Sequence, residues 1–152
     1  MDTESILVSV KRMLGILPND RAFDDELIMH INGVFMTLQQ LGVGPKTGFS
    51  ISDYDATWSD FTDNSNLIGS TRMFVYLKVR IIFDPPTSSA AADAINNRIS
   101  ELEFRLNSQA ECDAESNGED SGSSSTPTTN TTQSSLSVED GVLFYGKGDA
   151  RS

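Results

Sequence analysis

Residues 73–86, MFVYLKVRIIFDPP, form the most apolar window of the chain, and their reading decides the fold. Met73, Val75, Leu77, Val79, Ile81 and Phe83 alternate with a set that includes Lys78 and Arg80, which is the period of a half-buried strand. The same residues also make a helix apolar on two sides, with Met73, Phe74, Leu77 and Ile81 on one face and Val75, Val79 and Ile82 on another. The run is long for a strand, whose mean length is about five or six residues. Asp84-Pro85-Pro86 ends either element, because proline removes a backbone donor and clashes with a continuing helix. Periodicity alone leaves strand and helix both open.

Upstream, two helices are legible. Thr3 is placed to cap the first, and Ile6, Leu7, Val10, Met13 and Leu14 fall on one face, with Gly15 as a left-handed stop and Ile16 as the apolar contact beyond it. The second has the clearest start signal. Asp24 is its candidate cap, Asp25 and Glu26 sit in the positive first turn, and Phe23 is placed to staple against Ile28. Its core stripe is Leu27, Ile28, Ile31, Val34, Phe35, Leu38 and Leu41, and Gly42 stops it. Opposite that stripe lie Met29, Gly33 and Met36, where a solvated face would carry charge. A mid-helix glycine costs about 1 kcal/mol relative to alanine, so close packing of another helix, one from another subunit included, is the sharper reading of this face. Two exposed methionines and a tolerated glycine are the plain one.

Between Gly42 and Asn66 runs a long connection with four rings: Phe49, Tyr54, Trp58 and Phe61. Ile51 is a candidate for a short strand there, and residues 57–61 for a helical turn. Connections of this length are usually functional or packed by their own side chains. Trp58 and Phe61 are therefore candidate contacts with a neighbouring subunit. Downstream of the prolines, Ser88 or Ser89 is placed to cap a last helix with Ala92, Ile95, Ile99, Leu102 and Leu106 on one face.

Composition changes at Asn107. From there to Ser135 no large apolar residue occurs, while eight Ser and five Thr do, so residues 108–135 read as a flexible acidic linker. Leu136 and Val138, a Glu139-Asp140-Gly141 turn signal, then Val142 and Phe144 restore strand alternation and suggest a docking hairpin over residues 136–152.

Composition excludes more chemistry than it supports. The chain carries 22 acidic and 11 basic residues, a net charge of −11, against a sequence-independent nucleic-acid binder. Cys112 is the single cysteine, so neither an internal disulfide nor a thiolate metal cluster is expected. No apolar run approaches the roughly 18 residues of a membrane span, and the first residues lack the pattern of a signal peptide, so a soluble chain in a reducing compartment is expected. His30, the only histidine, borders the core stripe of the second helix and has no placed catalytic partner. Asp53, Asp55, Thr57 and Ser59 have the spacing of a calcium loop's first ligands, but Trp58 stands where that loop needs Gly and Asn64 where it needs Glu. Asn130-Thr131-Thr132 reads as part of the polar linker rather than a glycosylation site, and Gly42-Val43-Gly44-Pro45 lacks the lysine of a phosphate loop. No catalytic residue, metal or cofactor is expected, and an enzyme whose groups come from a neighbouring subunit is the weakest alternative.

The ordered set AFDDELIMHING, LGVGP, GFSISD, TWSDF, LKVRIIFDPP and ISELEFRLN resembles the small head–tail connector (adaptor) proteins of tailed double-stranded-DNA bacteriophages, over about residues 2–107. The resemblance implies a mainly α fold, a domain of about four helices over residues 1–107, in which residues 73–83 are helical. It also implies a ring, typically of twelve subunits, in the virion neck between portal and tail or tail-completion proteins. DNA would pass through without sequence-specific binding, and no membrane would be involved. Family members often end near the position of Asn107, so the linker and the docking segment depart from the pattern. The alternative is a binding module outside the channel that docks a partner through the tethered hairpin. The residues expected at interfaces are Met29, Gly33, Met36, Trp58, Phe61, Leu136, Val138, Val142 and Phe144.

Overall fold

The computed structural model describes residues 3–117; the expected linker from residue 118 on and the expected hairpin, with Leu136, Val138, Val142 and Phe144, lie outside the described residues. Five helices follow in order: α1 (Ile6–Leu14), α2 (Asp24–Gln40), the single turn α3 (Trp58–Phe61), α4 (Ser65–Phe83) and α5 (Ser89–Ser116). The described residues are mainly helical, and their only β pairing is one antiparallel bridge between Ser5 and Thr57.

The stretch that decided the reading is helical. Phe74, Val75 and Val79 are fully buried and Leu77 is nearly so, whereas Met73 stands exposed. Strand alternation would have put Phe74 outside and Met73 inside. The helix starts well upstream of the apolar run, at Ser65, with the Asn64 side chain accepting from the Asn66 amide. It is the centre of the domain: α5, α2 and α1 all pack against α4, which explains why its apolar residues occupy two faces. Of the core partners expected for it, Phe35, Leu38, Leu77, Ile99 and Leu102 are buried, and Ile81 packs half-buried against them. Leu77→Ala should therefore cost about 2–5 kcal/mol. Chemical denaturation measures it, and an unshifted midpoint would remove Leu77 from the core.

Several local expectations are corrected. Ser5, not Thr3, caps α1, because Ser5 is held extended by the bridge to Thr57 and its hydroxyl accepts from the Val8 amide. Gly15 does end α1 in the left-handed conformation, at φ 81°. Asp24 does not cap α2; it is the first helical residue, and its carboxylate is taken by Lys11 and Tyr54. Phe23 meets the ring of Phe83 edge-on at 5.5 Å, which joins the start of α2 to the end of α4. Ile51 is not in a strand; its backbone N–H donates to Asn32 Oδ1 and its carbonyl accepts from Asn32 Nδ2, at 2.7 and 2.9 Å, so one side chain of α2 does the work of a strand neighbour.

Past Asn107 the chain stays helical to Ser116. Side-chain hydrogen bonds from Asn107 to Glu111 and from Gln109 to Asp113 brace these turns, and Ala110 packs against the core. Composition registers only the missing large side chains.

Candidate functional site

α2 separates its residues sharply. Leu27, Ile31, Val34, Phe35 and Leu38 are buried, while Met29 and Met36 on the opposite side are 62% and 64% exposed. Gly33 lies between them with nothing near the position a Cβ would take, and its carbonyl accepts from the Thr37 hydroxyl at 3.3 Å. The helix thus offers a bare strip of backbone flanked by two flexible thioethers. Methionine adapts its shape to a partner at small cost, and the glycine lets that partner's backbone approach.

Trp58 and Phe61 are a correction. Both are buried in the subunit's own core, so neither reaches its surface. The Phe35 ring lies 5.0 Å from those of Phe49 and Phe61 and 6.3 Å from Trp58, so the long connection folds its aromatics inward over α2. The Trp58 indole N–H donates to Ser9 Oγ at 2.9 Å, which ties this turn to α1. Thr57 and Asp60 close α3 with a reciprocal capping box. The Asp60 carboxyl is held below its ordinary range by the backbone N–H of Thr57, with the Thr57 hydroxyl adding to it. Gly44, at φ 93°, stands so close to Phe61 that a Cβ there would lie 2.4 Å from the ring.

Leu17 and Phe104 are surface apolar residues that the sequence reading passed over, and Ile82, placed there on an apolar helix face with Val75 and Val79, also stands exposed. Phe104 was recoverable, since it falls between Leu102 and Leu106 and so points away from the stripe they define. Beyond α2, an open groove of about 330 Å³ lies between the turn after α2 and the end of α5. Gly42, Gly44, Pro45, Ala110 and Ala114 line it, with Gln39 and Lys46 as its polar members.

Charged groups in the fold serve architecture. Lys11 is completely buried, and its ammonium donates to Asp24 Oδ1 (2.6 Å), Tyr54 Oη (2.9 Å) and the carbonyls of Asp20 (2.5 Å) and Pro18 (3.2 Å). Tyr54 in turn donates to the other Asp24 oxygen. Burial pushes the Asp24 carboxyl up, but the hydrogen bonds from Lys11 and Tyr54 and the nearby cation outweigh it and hold the group below its ordinary value. Burial likewise works against the Lys11 charge, yet the same partners leave its value raised. Glu4 bridges Arg12 and Arg72, and the Arg72 guanidinium lies 5.6 Å from the Trp58 ring centre. His30 is partly covered, its Nε2 3.9 Å from Glu26. Asp53 is engaged in its own turn, accepting from the Asp55 amide. No group of three or more metal-binding side chains gathers among the described residues, and no described helix is long and apolar enough to cross a membrane.

This geometry is that of a helical scaffold whose second helix leaves two methionines and a glycine uncovered. No curated protein and no solved structure matches the chain. A family model described as phage connector protein matches residues 6–113, most of the sequence and nearly all of the described helical domain, and the chain belongs to that family.

Proposed function

We propose that this connector forms a ring in the virion neck, joined to the portal on one side and to the tail or a tail-completion protein on the other, with DNA passing through its centre. The family match over residues 6–113 carries the reading. The outer face of α2 supports it, because exposed methionines beside an open glycine are costly in water and suited to an interface. Heterologous contacts between identical subunits close into a ring when the rotation per subunit allows it. The net charge of −11 fits a conduit, since a surface that repels phosphate lets DNA slide where a basic one would retain it.

Met29→Glu with Met36→Glu is the direct test. Both positions are exposed, so thermal stability of the subunit should change by no more than about 0.5 kcal/mol. Light scattering with and without the portal ring should show wild-type rings and only monomers of the variant. A variant that assembles normally removes α2 from the interface, and a wild-type chain that stays monomeric beside the portal overturns the ring.

A further inference from the structure

We propose that Phe104 of one copy seats on the bare backbone at Gly33 of its neighbour, between that copy's Met29 and Met36; this names the partner of the α2 face and rests on the ring reading above. A heterologous contact needs two unlike patches on one subunit. α2 supplies a hollow. Nothing stands within 4 Å of the place a Gly33 Cβ would take, and the flanking methionines lie about 10 Å apart along the axis. Phe104 supplies a projection. It is 74% exposed, and among the described residues it is the one exposed ring inside a helix. Leu17 and Ile82, also strongly exposed, sit at element ends instead, in the α1–α2 connection and the last turn of α4. A ring in the hollow meets a thioether sulfur on either side, a contact that is favourable for aromatic rings.

Direction and charge agree on how the two helices meet. Phe23, just before α2, touches Phe83 at the end of α4, and α5 also departs from that end. At the far end, a Cβ on Gly42, just past α2, would lie 3.4 Å from Ala110 of α5. α2 and α5, both packed on α4, therefore run in the same sense. In a ring of about twelve the rotation per subunit is about 30°, so a neighbour's α5 turns from that direction by no more than this and meets α2 nearly parallel. Such a crossing is within the usual range for packed helices. In the parallel register Arg98, which precedes Phe104, comes beside Asp25, which precedes Gly33, and both charges are exposed. Arg98 holds Glu101 of its own helix at 2.7 Å, and its fork of donors leaves room for a second carboxylate. Beyond Phe104, Glu111 comes beside the uncharged Gln40. The antiparallel register would instead set Glu111 against Glu26, carboxylate facing carboxylate.

Site-directed cross-linking of the full-length chain tests this, with Cys112→Ser removing the single native cysteine. Copies carrying Met36→Cys are mixed with mass-tagged copies carrying Ser108→Cys or Ser100→Cys, assembled with the portal ring and mildly oxidised. Parallel seating puts Met36 beside Ser108, so the Ser108→Cys copies should give a disulfide between the two kinds of copy and the Ser100→Cys copies none. Asp25→Arg in the first kind should reduce the yield about two- to fivefold, and Arg98→Asp in the second should restore it. Phe104→Ser should abolish rings while leaving the subunit's thermal midpoint unchanged, and Phe104→Leu should keep them. Intact rings that give no disulfide, or that survive Phe104→Ser, overturn the inference while leaving the ring in place. A disulfide with the Ser100→Cys copies alone overturns the parallel seating. Absence of rings from the Cys112→Ser parent overturns both readings together.

Discussion

Lys11→Met should destabilise the subunit by about 3–5 kcal/mol, the cost of leaving one member of a buried ion pair without the other. The ammonium shares three protons among four oxygens that come from α2, from Tyr54 and from the chain between α1 and α2. Removing it strands the Asp24 carboxylate and two carbonyls at once. Urea denaturation gives the magnitude, and a cycle with Asp24→Asn tests the mechanism. The double variant should lose less than the two single losses added together, because neither charge is then stranded. Simple additivity would sink the account. The pH dependence has a definite sign. Asp24 is held below its ordinary value near 3.8, so its stabilisation is complete above that value and is lost as pH falls through the lower folded-state value. Lys11 is raised above 10.5, so its share is complete below that value and is lost only as pH rises through the higher folded-state one. Asp24→Asn should accordingly flatten the acid limb of the stability curve below about pH 4.

Phe35→Ala should cost a comparable amount, about 3–5 kcal/mol. Its ring is fully buried and touches three other aromatics, all of them on the connection between α2 and α4. Truncation opens a cavity at the point where that connection is fastened to α2. Pairwise cycles with Phe49→Ala and Phe61→Ala should each show a coupling of about 0.5–1.5 kcal/mol. A Phe35→Ala loss below about 1 kcal/mol would mean that the site collapses around the missing ring.

How far the sequence could be read depended on what each element packs against. α2 touches the core along one stripe, and its apolar spacing announced it. α4 is buried against three helices, so its apolar residues surround the axis and imitate a strand between Met73 and Phe83. The distinguishing signal lay upstream, where Asn64 caps a turn and Leu67, Ile68 and Thr71 continue the helical spacing toward Phe74 and Val75. The outer methionines of α2 were legible because a helix face without charge is conspicuous. Trp58 and Phe61 were misplaced because a sequence shows that a loop carries rings and not which way the loop closes. Lys11 gave no sign at all, since nothing in a lysine's neighbours along the chain reveals the carbonyls and carboxylate that surround it.

Trp58, the only tryptophan, also makes the domain its own optical gauge. Its indole is sealed from solvent and hydrogen-bonded to Ser9, so emission should be blue-shifted in the native subunit and move to the red when α1 detaches. Excited at wavelengths where tyrosine does not absorb, the one indole, held between α1, α2 and the aromatic connection, yields a signal with no second tryptophan to separate. Assembly through the outer face of α2, as proposed above, should leave that emission unchanged, because Trp58 is buried within the subunit. Folding and assembly can thus be followed in one cuvette, the first by colour and the second by scattered light.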